Sequence, residues 1–412
     1  MRILILGATG LLGSHIARAL AADGHAVTGA GRELDFTVLA TAAAWAPHLA
    51  GMDAVVNCVG VFRAREPDGY ERVHHTAPAA LFEACERMGL RRVIHVSALG
   101  SGARAATAYW RSKGAGEDAL RGHDLDYTIV QPSLVYGADG ASSRLFLALA
   151  TMPAVALPEA RGALVQPVHV DDLAAAVAAL LRPEHGGIRE LAAVGPRALA
   201  IGEYLADLRR GMRAGTALTL KLPMALAGLA ARLAALHPAS PLTPDALAML
   251  DAGGAGANTA DPAGMAALLG RPPRDPATFA APADKPRAVL AWTLPLARVS
   301  LAALWLWTAW VSWFGWPHND SLAWLAACGV PAALRVPALL GASALDAAIG
   351  CALLPRPRRW LWPLQLCLVG GYTAAMTLCL PEFWLHPFGP LSKNIPLLAL
   401  MLVLWRLHDE RN

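Results

Sequence analysis

Tyr109 and Lys113, in the run Tyr109-Trp110-Arg111-Ser112-Lys113, lie four residues apart and so share one face of a helix. An ammonium in that position can draw a phenol down from its reference pKa of about 10 and let it pass a proton near neutral pH. Ser97, twelve residues earlier, ends the apolar run Val93 to Val96, where its hydroxyl either polarises a substrate carbonyl or serves as a turn residue. A second group has a different use. Gly7-Ala8-Thr9-Gly10-Leu11-Leu12-Gly13 follows the apolar run Ile3 to Leu6 and opens a helix. Gly7 permits the turn, Gly10 lets backbone approach a pyrophosphate, Gly13 lets helix pack on strand, and the helix N-terminus offers amide donors. That spacing predicts a dinucleotide cradle. Past the next apolar run, Ala30-Gly31-Arg32-Glu33 sets Arg32 where it would pair with a 2′-phosphate, which favours NADP, while Glu33 keeps NAD open.

These residues need a scaffold. The runs Ile3 to Leu6, Ala26 to Thr28, Ala54 to Asn57, Val93 to Val96 and Tyr127 to Val130 are apolar throughout, and a helix-length segment follows each. Continuous apolarity fits parallel strands covered on both faces, so the fold class expected is α/β, a doubly wound parallel sheet. Val168 to Ala178 and Ile201 to Met212 are helical by pattern. His169 and Asp171 bracket the start of the first of these, with Asp171 as its expected N-cap. The Ala/Leu stretch Leu222 to Leu236, between Pro223 and Pro238, carries only Arg232 and His237 on its polar face and is expected to be a buried cap over the cleft; the alternative is a helix resting on a membrane surface. Arg271 to Pro286 holds five prolines and reads as a semi-rigid linker. The domain division expected is 1–215, 216–285 and 286–412.

The last segment is of another kind. Val299 to Trp316 is eighteen residues without a charge, Val336 to Leu354 nineteen with one, and Leu361 to Leu380 twenty with none. Such lengths suit a hydrocarbon layer of roughly 30 Å. Ile395 to Trp405 reaches that length only if Lys393 snorkels and the helix starts near Leu391, giving four expected spans. Eleven of the thirteen Trp lie at or beyond Trp292, as a membrane-interface belt requires. Lys285, Arg287, Arg356, Arg358, Arg359, Arg406 and Arg411 flank the spans on one side, which predicts that both termini and the first domain are cytoplasmic. Asp346 inside the second span, and His386, are either intramembrane polar sites or structural groups. A formal charge of +4 with scattered Arg gives no nucleic-acid footprint, and six Cys without CxxC or metal-like spacing predict no metal and mostly inert thiols.

Taken together, Gly7 to Gly13, Val56-Asn57-Cys58-Val59-Gly60, Ser97-Ala98-Leu99-Gly100, Tyr109/Lys113, Gln131 to Gly137 and Pro167 to Asp172 resemble an atypical short-chain dehydrogenase/reductase, most similar to the NAD(P)H-binding, complex I subunit-like branch. The resemblance covers about residues 1 to 215. It implies a dinucleotide lined by Gly7, Gly10, Gly13, Arg32, Asn57 and Gly60, with Tyr109 and Lys113 at the nicotinamide ribose. Aligned to extended members, Ala98 rather than Ser97 takes the serine position, and some atypical members bind without catalysis. The tail, with His386-Pro387-Phe388-Gly389-Pro390 and Lys393-Asn394, resembles the DoxX-like membrane family, whose members are associated with quinone or thiol redox chemistry. A membrane-attached reductase or dehydrogenase of a lipophilic carbonyl or quinone-like substrate is therefore expected. The rival expectation is a dinucleotide-binding scaffold or sensor docked to a respiratory complex.

Overall fold

A computed structural model of the protein describes residues 1–408, except 37, 64, 65, 67, 161, 237–239 and 356. His237, Pro238, Arg356 and Arg411, which the sequence reading used, lie outside the described residues. Two compact units result, Met1–Val289 and Leu290–Asn412.

In the first unit, β1 (Arg2–Leu6), β2 (Ala26–Ala30), β3 (Ala54–Asn57), β4 (Arg92–Val96), β5 (Asp126–Pro132) and β6 (Glu190–Ala193) form one parallel sheet in the order β6-β5-β4-β3-β1-β2. Alternate residues of β1 feed opposite faces. Ile3 and Ile5 pack with Ile16, Leu20, Leu173 and Val177 from α1 (Leu11–Ala22) and α5 (Val170–Leu180). Leu4 and Leu6 pack with Trp45, Leu81 and Phe82 from α2 (Ala42–Leu49) and α3 (Ala77–Arg87). Each such fully buried side chain contributes roughly 1.5–3 kcal/mol, and two covered faces explain why the strands are apolar without alternation. β6, of sequence Glu-Leu-Ala-Ala, was not expected. The chain turns one way from β1 to β2 and the other way to β3, so the order reverses beside β1, where open α/β sheets form their crevice.

Three expectations about the rest of this unit are corrected. Helix α5 is capped by His169, whose Nδ1 accepts from the Asp171 amide, because Asp171 is drawn instead to His15 Nδ1 at 2.6 Å and Arg274 at 3.1 Å. The proline-rich stretch, expected as a semi-rigid linker, is fastened to the first unit. Arg271 reaches the buried Asp172 at 2.6 Å, the Arg274 amide donates to the same carboxylate at 2.7 Å, and Asp275 pairs with Arg197 at 2.8 Å. The Ala/Leu stretch does form a helix, α6 (Met224–Ala234), but only Ala227 and Ala231 are buried, and its leucines face outward.

Three helices, the first beginning at the end of the first unit and the others within the second, are long and apolar enough to cross a membrane: α7 (Lys285–Trp310) with its continuation to Gly315, α8 (Ala332–Leu353), and α9 (Leu361–Cys379). Gly350 gives α8 and α7 their close approach, since a Cβ there would lie 2.7 Å from the Leu306 side chain. Trp305 donates to Gln365 at 2.9 Å between α7 and α9. The fourth apolar helix, α10 (Asn394–Arg406), is shorter than these three. It begins at Asn394, not Leu391, and its 13 residues reach roughly 20 Å, short of the hydrocarbon thickness. His386 shapes the turn after α9: its Nδ1 accepts from the Phe388 amide at 3.3 Å and its ring lies beside Phe383 and Phe388. Asp346 keeps one carboxyl oxygen buried with no partner among the described residues.

Candidate active site at the carboxyl edge of the sheet

Strand register gathers the functional residues. Leu6, Asn57 and His95 are direct neighbours across β1, β3 and β4, so the residues that follow them emerge on one edge. Gly7 adopts φ +79°, closed to most side chains, and its amide donates to Ala30. Gly13 is set by proximity: a Cβ there would stand 2.2 Å from the Gly7 carbonyl oxygen. At Gly10 a Cβ would meet only that same oxygen, at 3.2 Å, and no side chain caps α1. The first amides of α1, at Leu11, Leu12 and Gly13, therefore carry no side-chain cap, and backbone alone lines this turn. That cradle fits a pyrophosphate. Ala8 and Thr9 complete the turn, and Thr9 is so close to Gly31 that a Cβ on Gly31 would lie 2.7 Å from it.

Asn57 is fully buried, and its Oδ1 accepts from the Val59 amide at 3.1 Å, shaping the turn that leads to Gly60. Helix α4 (Ala108–Arg121) crosses above. Gly114 and Gly116 let it press against the Gly102 backbone and the His74 carbonyl, where a Cβ would stand 2.6 and 2.2 Å away. This approach drives Lys113 into the edge. The residue is 3% exposed, and its ammonium donates to Val96 O at 3.0 Å and Val59 O at 3.3 Å and sits beside Gly60. Burial pulls Lys113 down to about 8.

Tyr109 is half-buried among the rings of Phe62, Tyr70 and His74, with centroids 5.3, 6.1 and 5.4 Å away. The expected lowering of its phenol by Lys113 is absent: burial, reinforced by Tyr70, pushes it up to about 12. The ammonium instead satisfies two carbonyls. Ser97 is buried, its amide bonded to Val130 O and its hydroxyl 3.4 Å from that of Ser101. It thus joins a hydrogen-bond chain through Ser101 to Glu117. Arg32 is exposed just past β2, and the Glu33 carboxylate folds back to accept the Gly31 amide at 2.5 Å.

Sequence reasoning missed two supports. Glu117, nearly fully buried, accepts from Ser101, from Gln131 at 3.0 Å and from Arg121 at 3.0 Å. Its position four after Lys113 extends the Tyr109/Lys113 face and was a usable signal. His74 accepts from the Val61 amide at 3.0 Å through Nε2, so Nδ1 carries the hydrogen and donates to Ser112 Oγ at 2.8 Å; that hydroxyl donates to Tyr109 O. Burial and the Lys113 charge hold His74 down at about 2, a neutral spacer that fixes the turn below Tyr109. It sits in a widened π-type turn, Arg72–Thr76, with partners 38 residues away that no local pattern announces.

Residues 3–195 match the NAD dependent epimerase/dehydratase family and residues 302–402 the DoxX-like family. A ceramide reductase of Caulobacter vibrioides is 32% identical over 205 residues, which are 47% of this chain and 64% of that protein. The mitochondrial NADH dehydrogenase [ubiquinone] 1 alpha subcomplex subunit 9 of Rattus norvegicus is 29% identical over 198 residues, 46% of this chain and 51% of that one. The chain thus spans between half and just under two thirds of these relatives' length. The fold is shared with a nucleoside-diphosphate-sugar epimerase of Staphylococcus aureus, at 19% identity and TM-score 0.54, covering 68% of this chain and 99% of that one. An NAD(P)-binding Rossmann domain of oxidoreductase type and a DoxX-like membrane domain are joined in one chain.

Proposed function

From that pairing of an NAD(P)-binding domain with a DoxX-like membrane domain, we infer a membrane-attached reductase or dehydrogenase that acts on a lipophilic carbonyl or quinone-like substrate. The observation that carries this reading is the convergence of Gly7, Gly10, Gly13, Asn57, Gly60, Lys113 and Tyr109 on one edge of the sheet. Bound NAD(P) supplies hydride transfer. The chain's own residues do the rest. Backbone at Gly7 to Gly13 holds the pyrophosphate, Lys113 offers its ammonium to the ribose hydroxyls, and Tyr109, protonated at ordinary pH, gives a proton to the carbonyl oxygen. Ser97, buried behind the edge, orders Ser101 and leaves the carbonyl to Tyr109.

Similarity to a ceramide reductase supports a lipid carbonyl, as does the membrane domain. Lys285, Arg287, Arg358 and Arg359 flank the first three long helices on one side, which supports a cytoplasmic nucleotide domain. A second reading, a dinucleotide-binding scaffold attached to a respiratory assembly, draws on the similarity to a complex I subunit.

The preference of the site is read as NADP, because Arg32 is exposed beside the ribose end while Glu33 is turned onto Gly31. The nucleotide that co-purifies in detergent, identified by mass spectrometry, is expected to be NADP(H). Arg32→Ala is expected to weaken NADP about tenfold or more with NAD nearly unchanged, the size of one charge-assisted phosphate contact; equal weakening of both sinks the assignment. A pH test follows from Lys113. Its ammonium persists below about 8 and is lost above it, so nucleotide affinity is expected to fall as pH rises through that value. Lys113→Arg, which stays charged, should flatten the profile in titrations followed by nucleotide fluorescence.

A further inference from the structure

Helix α6 and the strand before it, Leu218–Leu222, present an apolar surface. Leu226, Leu229 and Leu233 recur at helical spacing with Leu236 just beyond, and they are 53, 54, 60 and 79% exposed. Leu218 and Leu220, alternate residues of the strand, add 61 and 49%. Behind them Ala227 and Ala231 are the buried residues of the helix. Six exposed leucines in one short segment exceed what a water-facing surface ordinarily carries.

Charge and connectivity name the occupant. No Asp or Glu occurs between Asp207 and Asp245, whereas Lys221 and Arg232 are exposed within the segment. A leucine stripe edged by cations and free of acids suits an interface helix on anionic lipid. The unit's last residue, Val289, is followed directly by Leu290 of the membrane unit, so the unit that carries this face is tethered to a bilayer. We propose that α6 and the Leu218–Leu222 strand dock on the bilayer surface, with the leucines at the headgroup and acyl boundary and Lys221 and Arg232 against lipid phosphates. The docking is independent of the cofactor and of the reaction.

The test uses the full chain in nanodiscs of phosphatidylethanolamine and phosphatidylglycerol, with Leu229→p-benzoylphenylalanine as photocrosslinker and the same reagent at Arg87, exposed on α3, as control. Mass spectrometry is expected to find phospholipid adducts at 229 about tenfold above those at 87, reduced severalfold by Lys221→Ala with Arg232→Ala or by omission of phosphatidylglycerol. An adduct with residues 290–412, an adduct with a second copy, or equal lipid yield at both positions overturns the proposal. An unchanged melting profile confirms folding; if the 229 variant fails that check, the reagent at Leu233 reads the same face.

Discussion

Tyr109→Phe is expected to lower turnover of a responsive carbonyl by about two to four orders of magnitude, the contribution of one positioned general acid, while nucleotide affinity stays within about threefold. The phenol lies in an aromatic pocket of Phe62, Tyr70 and His74, whose contacts a phenylalanine ring keeps. Only the proton is lost. Burial pushes that phenol up to about 12, so it is protonated throughout the physiological range and suits proton donation, the reductive direction, better than proton abstraction. Steady-state turnover and nucleotide titration on the same preparation separate the outcomes. Unchanged turnover removes Tyr109 from the chemistry. A wild-type protein that holds nucleotide but turns over no carbonyl or quinone across a broad panel favours the scaffold reading.

The centre of the sheet was legible because β1, β3 and β4 are buried on both faces, which leaves an unbroken apolar run that a helix rarely shows at that length. β6 was not: Glu190-Leu191-Ala192-Ala193 lies at the sheet edge, and its alanines carry little strand signal. The glycine cradle was legible because its constraint is local, turn to helix within seven residues. Long-range relations were hidden. Nothing near Asp171 announces that His15 and Arg274 claim its carboxylate, and so His169 takes the cap. Likewise Tyr109 and Lys113 do share a face, but the ammonium's partners are carbonyls at the ends of two strands, fixed only once Gly114 and Gly116 let α4 descend. For α6, an Ala/Leu pattern states that one face avoids water and leaves open whether protein or lipid covers it.

Gly13→Val is expected to abolish nucleotide binding and destabilise the first unit by about 3 kcal/mol or more, the upper range for forced overpacking. The Cβ would stand 2.2 Å from Gly7 O and 2.7 Å from the Gly7 carbonyl carbon, both backbone atoms that no rotamer change can move. Gly7 in turn is held by its amide bond to Ala30 and by the Cys58 backbone 3.2 Å from its own Cβ direction, so relief would have to separate β1 from its neighbours. Gly10→Ala separates fold from function. There the added methyl meets only Gly7 O at 3.2 Å, and φ of −77° is open to alanine, so the melting temperature should change little. The methyl nonetheless enters the path by which the pyrophosphate reaches the α1 amides, and affinity should fall by about ten- to a hundredfold. Thermal unfolding and nucleotide titration of both variants decide the matter: a Gly10→Ala protein that binds as tightly as wild type would mean that the phosphates do not lie over this turn.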